Sequence, residues 1–166
     1  MDFVQARIDV MNWITGFVEK SNSDLNGWPP CPFARRARLN NEFDLRQGSI
    51  YGPYVDLQQA VLEPYTVIAY VYDPKLLSAD EFNSQTQALN QDFLVQRDII
   101  ALADHPDSRE EVNGVCMNQG TWAIVFIQPL SKLNSFAQQL VPKGYYHNWP
   151  EDYLEGLFEF RKDPRV

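Results

Sequence analysis

An α+β fold follows from three features of this 166-residue chain. Residues 65–73 (YTVIAYVYD) and 121–128 (TWAIVFIQ) are nearly all apolar, β-branched and aromatic, the character of strands covered on their faces. A helical pattern lies between the two runs, and others lie on either side of them. The connections are short, so the helices must pack on the sheet that the strands form. Helices alternating with a few strands at βαβ spacing fit a ferredoxin-like sandwich best, with helices on a small mixed or antiparallel sheet. No internal repeat or low-complexity linker divides the chain, so residues 1–166 read as a single α+β domain. That length buries a sizeable core without disulfides or metals.

Each element has its own signal. Phe3, Val10, Trp13, Ile14 and Phe17 recur at helical spacing, and Gly27 ends the polar loop that follows them. Pro32 suits the first turn of a short helix, which places Cys31 at or near its N-cap. Phe43 and Leu45 alternate with charges and favour a short strand; Val55 to Glu63 reads as a short helix. Ser78 and Glu81 form a capping box for a long helix that carries Phe82, Leu89, Phe93 and Ile100 and ends near Asp104-His105-Pro106. Residues 105–120 read as a loop with a short strand around Val112 to Met117. Ser131 caps a helix bearing Leu133, Phe136, Ala137 and Leu140, and Pro142 and Gly144 stop it. Pro150 opens a last helix, with Glu151 and Asp152 in its positive first turn and Arg161 and Lys162 at its far end.

Composition narrows the function. The formal net charge is −8, which argues against direct nucleic-acid binding through a general positive field. No run reaches the ~18 apolar residues of a membrane span, and the N-terminus has no signal-peptide pattern. Cys31 and Cys116 do not form a secreted disulfide framework, so a reducing cytoplasm is expected. The chain has no C-x-x-C, no H-x-x-x-H, no dinucleotide fingerprint, no P-loop and no G-x-S-x-G, so neither a metal nor a cofactor is expected.

The stretch WPPCPFARRARL, residues 28–39, holds the densest chemistry. A thiol at a helix start has a lowered pKa, because free N–H groups and the helix dipole stabilise the thiolate. Arg35, Arg36 and Arg38 follow as the one dense basic patch of an acidic chain. Arginine forks suit carboxylate or phosphate, so they are candidate ligand-binding residues for an anionic small molecule. Against this stands a small buried cysteine in a proline-rich corner, with arginines that pair with the acidic surplus. His105 with Asp107 is the candidate partner, a base and its orienting carboxylate beside a catalytic Cys31, or else a helix C-cap histidine.

CPFARRARL, residues 31–39, resembles the cysteine motif of the omega-class glutathione transferases. The resemblance implies that the Cys31 thiol forms a mixed disulfide with glutathione. It is confined to those residues: that family has a strand directly before its cysteine, and here a helix and SNSDLNGWPP precede it. The order of an N-terminal amphipathic helix, CPFA at residues 31–34 and HPD at 105–107 is similar to a family of uncharacterised bacterial proteins with an N-L-C-P-F-A motif and a later H-P-D. That resemblance implies a shared fold and a Cys31–His105 neighbourhood, and no activity.

Tyr145, Tyr146, His147, Trp149 and Tyr153 crowd one short segment. Such side chains suit pockets and interfaces, so Tyr146 and Trp149 are candidate ligand contacts; a turn packed on the core is the other reading. Two functions remain. One is a small cytosolic enzyme or small-molecule-binding protein that uses Cys31 beside an arginine anion site. The other is a non-catalytic acidic protein that binds a protein partner through its aromatic C-terminal segment.

Overall fold

The computed structural model describes all 166 residues. In chain order the elements are α1 (Phe3–Trp13), α2 (Ala34–Leu39), β1 (Phe43–Gln47), α3 (Pro53–Asp56), β2 (Val67–Tyr72), α4 (Ala79–Leu89), β3 (Ile99–Asp104), β4 (Glu111–Val112), β5 (Val115–Cys116), β6 (Ala123–Pro129), α5 (Leu130–Leu140) and α6 (Glu151–Leu157). No helix is long and apolar enough to cross a membrane.

The fold is α+β. Four strands make a mixed sheet in the order β1-β2-β6-β3. β1 runs parallel to β2, while β6 is antiparallel to both β2 and β3. β2 and β3 therefore point the same way, joined through α4, with β6 inserted between them. β4 and β5 form a separate two-stranded hairpin.

Register sorts the side chains onto two faces, because alternate residues of a strand point opposite ways. Ile68, Tyr72, Ala123, Val125, Ile127, Ile99 and Ala101 bury one face under Leu57, Phe82, Leu89 and Leu94. On the other face, Leu45, Ala69, Val71 and Ile124 pack against Ala6, Val10 and Ile14 of α1 and its extension. A third cluster joins α5, α6 and the β4–β5 hairpin through Leu140, Tyr145, Trp149, Leu154 and Phe158.

The Ser78–Glu81 capping box forms as expected, with Ser78 Oγ accepting from Glu81 N–H and the Glu81 carboxylate accepting from Ser78 N–H. Several expectations need correction. The long helix does not reach Asp104: Asp98 adopts a left-handed conformation, φ 58°, and residues 99–104 form β3. The Asp98 carboxylate then accepts from Ser131 N–H and Oγ–H, so Ser131 is held by Asp98 and does not itself cap α5. Val55 to Glu63 is not a helix beyond the single turn of α3. The helix after Cys31 starts only at Ala34, with Phe33 as its N-cap, so Cys31 is not the cap. The last helix ends at Leu157, which leaves Arg161 and Lys162 beyond it.

Candidate functional site

Half of one sheet face lacks a covering helix. α1 lies over β1 and β2, and the register puts Ile100, Leu102, Asp104, Phe126 and Gln128 on the remaining half. The floor is apolar in the middle, where Leu102 faces Phe126, and polar at its opposite ends, Asp104 and Gln128. Two hollows open over it and share Trp13, Val18, Cys31, Leu102 and Phe126 as walls.

The first hollow, about 320 Å³, is mostly apolar. Phe33 and Phe136 stack across it at 4.0 Å between ring centroids, and Ala34, Ala37 and Leu133 continue the wall. Arg36, Arg38, Glu42 and Lys132 supply its charges. The Lys132 ammonium lies 5.7 Å from the Phe136 ring centroid. Arg38 is committed to Glu19 by a two-pronged ion pair, Nε to Oε1 at 2.6 Å and Nη2 to Oε2 at 2.9 Å. Arg36 is exposed and makes no ion pair. Arg35 is exposed and lines neither hollow.

Cys31 lies on the turn ahead of α2, where its N–H donates to the Val18 carbonyl at 3.1 Å. The Ala34 N–H donates to the Cys31 carbonyl at 3.3 Å, and the backbone N–H groups of Phe33 and Ala34 near the sulfur favour its thiolate. Burial nevertheless dominates and pushes the thiol pKa up, against those donors and the Arg161 guanidinium. The residue keeps partial exposure while its sulfur is enclosed, so the resting state is a thiol. This overturns the lowered pKa that the sequence suggests, because the apolar wall costs a thiolate more than two N–H groups return.

His105 lies elsewhere. It is fully buried against Phe82 and lines neither hollow. Its Nε2 is 3.2 Å from both the Pro74 and Leu77 carbonyls, and Nδ1 accepts from the Asp107 N–H at 3.1 Å. Those partners assign the proton to Nε2. The Asp107 backbone, not its carboxylate, orients the ring, and no hydrogen bond joins His105 to Cys31. Tyr146 and Trp149 also line neither hollow. Tyr146 meets Tyr145, Trp149 and Phe158 edge-on and Trp149 tilts against Tyr145, at 4.8 to 5.6 Å between centroids, and the Tyr145 hydroxyl donates to the Pro30 carbonyl, so the aromatic segment braces the turn before Cys31.

The second hollow, about 760 Å³, runs along the outer edge of β3 between α4 and α6. Sequence reasoning missed it. Asp104, Asn118 and Tyr153 are its polar core. Asn118 Nδ2 donates to Asp104 Oδ1 at 2.9 Å and to Glu110 Oε2 at 3.3 Å, while its Oδ1 accepts from the Glu110 N–H. Burial pushes the Asp104 pKa up to about 6, with Asn118 opposing and Glu110 adding to the rise. Burial likewise raises Tyr153, with Glu110 and Asp104 nearby. On the α4 side Asn90 closes part of the open edge, donating to the Ala101 carbonyl at 2.8 Å and accepting from the Ala101 N–H at 2.7 Å. Once residues 99–104 are read as a strand, Asp104 falls on the Ile100–Leu102 face, which is the signal that could have found it.

No protein-family model, curated protein or solved structure matches the chain, so its chemistry rests on its own residues.

Proposed function

We propose that the protein binds a small molecule with a flat apolar body and one anionic group, in the hollow between α2, α5 and the uncovered half of the sheet. The observation that carries this reading is an apolar chamber of ligand size beside two cations, Arg36 and Lys132, that make no ion pair. Phe33, Phe136, Phe126 and Trp13 supply the apolar surface, and the guanidinium and ammonium hold the anion. Arg38 is already neutralised by Glu19, so it shapes the wall. Cys31 contacts the ligand as a neutral thiol. The mixed disulfide implied by the likeness to omega-class glutathione transferases would need a thiolate that this burial disfavours. The aromatic segment packs inward on the core, which removes the main support for the partner-binding alternative.

We infer two finer points with this reading. The β2-α4-β3-β6-α5 unit has the strand arrangement of a ferredoxin-like half, with β1 added as a parallel edge strand. Two unpaired cysteines fit a reducing cytoplasm.

Calorimetric titration with naphthalene-2-carboxylate and its neutral counterpart naphthalene-2-methanol tests the function. The carboxylate is expected to bind saturably and at least ~10-fold more tightly, the scale of one charge-assisted contact. Arg36→Ala with Lys132→Ala should bring the carboxylate down to the affinity of the alcohol. No saturable binding of either compound by the wild type, or equal binding of both, overturns the reading.

A further inference from the structure

The two hollows lie side by side on one sheet face. The first rests on Phe43, Val67, Phe126 and Gln128, and the second on Ile100, Leu102 and Asp104. Leu102 and Phe126 border both and are cross-strand partners on β3 and β6, so one strand spacing of about 5 Å separates the two floors. Trp13, Val18 and Cys31 also border both, with the Trp13 and Phe126 ring centroids 6.2 Å apart. No charged residue stands among these five, so hydrocarbon crossing that line strips water from no ion. Beyond it, Ile100, Met117, Leu157 and Phe160 continue the apolar surface in the second hollow. The α6 wall leaves room for a guest. Asp152, Tyr153, Gly156 and Leu157 line the hollow, and their spacing of three and four puts them on one stripe of the helix. A Cβ built at Gly156 meets nothing within 4 Å, so the middle of that stripe is open. Charge then fixes a direction. The first hollow offers Arg36 and Lys132, whereas Asp104, Glu110, Glu111, Asp152 and Glu159 line the second against a single base, Arg109. An anionic group is drawn to one end and repelled from the other, so a ligand that spans both lies one way round.

We propose that the ligand of the first hollow carries an unbranched hydrocarbon tail opposite its anionic group, and that the tail crosses the Leu102–Phe126 pair into the second hollow beside α6. The inference rests on the anion-binding reading above and adds the class of ligand: an aryl carboxylate with a long alkyl substituent. The flat body lies beside Phe33 and Phe136, with its carboxylate at Arg36 and Lys132. A two-ring body occupies the smaller space, and the hollow of about 760 Å³ remains for the tail. There the tail takes apolar surface of Ile100, Leu102 and Met117 out of water, which is the source of its affinity.

Calorimetric titration of the full chain compares naphthalene-2-carboxylate with 6-hexylnaphthalene-2-carboxylate, whose tail lies opposite the carboxylate. Full burial of a methylene is worth ~4-fold in affinity, so a six-carbon tail that is half covered should tighten binding at least ~50-fold. Gly156→Leu puts a branched side chain on the α6 stripe that faces the second hollow and should cut that ratio below ~5-fold, because the tail then stays in water. Leu suits a helix better than Gly, and far-ultraviolet circular dichroism confirms that the variant is folded. Should it not fold, Met117 supplies the second reading, since it lines the second hollow alone. Its labelled methyl signal should shift saturably with the hexyl compound and stay still with the parent. A hexyl compound that binds no more tightly than the parent overturns the proposal and leaves the anion site standing. A gain that survives in Gly156→Leu, or a Met117 signal unmoved by the bound hexyl compound, puts the tail elsewhere and overturns it too. If neither compound binds, the anion-site reading falls and this proposal falls with it.

Discussion

Replacing Asp104 with Asn should stabilise the protein at neutral pH and leave it unchanged in acid. Asp104 rises from an ordinary 3.8 to about 6 in the folded chain, because burial outweighs the Asn118 hydrogen bond. The folded state therefore binds the proton more tightly than the unfolded state, and stability attributable to this group falls as pH rises between the two values. About two pH units correspond to ~3 kcal/mol, reached in full above pH ~7 and absent below pH ~4. Asn is isosteric, and its Oδ1 still accepts from Asn118, so the variant removes the charge and keeps the shape. Urea denaturation of both proteins from pH 4 to 8 measures the difference, and the other carboxylates cancel in the comparison. We expect near equality at pH 4 and a variant more stable by about 1–3 kcal/mol at pH 7.5. A variant that is less stable at pH 7.5, or a difference that does not change with pH, would refute the reasoning. Asp104 would then be an ion that the fold welcomes.

Other consequences are as direct. Cys31 should react with iodoacetamide at pH 7.5 at least ten-fold more slowly than exposed Cys116, read by peptide mass spectrometry, because its thiol is buried and its pKa raised. Equal rates would mean the sulfur is open. Asn90→Ala removes both hydrogen bonds to Ala101 at the sheet edge and should cost about 2–4 kcal/mol in denaturant unfolding. It should also promote self-association on a sizing column, since the freed edge can pair with another chain. Gly48→Ala drives a methyl into the buried Tyr72 ring and should cost about 1–3 kcal/mol; a neutral effect would show that the ring can swing aside.

β2 and β6 were legible because their apolar β-branched runs are too short for helices and are bounded by Asp73-Pro74 and Pro129. The Ser78–Glu81 cap was legible because it is wholly local. β3 was not. Ile99, Ile100 and Leu102 continue the helical spacing of Phe82, Leu89 and Phe93, and a short apolar run has no period of its own. What decides it is the reversal at Asp98 and pairing with a strand far along the chain. The site divides the same way. Cys31 and Arg36 stood out as a local motif, and the fold does put them on one hollow. Arg38 looked free because Glu19 meets it only in three dimensions. Asp104 and Tyr153 stayed hidden because their meeting depends on the strand that was misread and on how α6 packs beside it.

The measurement closest to the central claim watches Trp13, the one tryptophan that lines both hollows. Its indole N–H is buried and has no partner in the protein, so its resonance should respond to a guest on the shared wall. In a proton–nitrogen correlation spectrum of the labelled protein, assigned with Trp13→Phe, naphthalene-2-carboxylate is added stepwise. A saturable shift of the Trp13 indole signal, with the Trp149 signal in the aromatic cluster unmoved, is the predicted result. A Trp13 signal that stays still while ligand binds elsewhere, or all four tryptophan signals drifting together without saturation, would contradict the site.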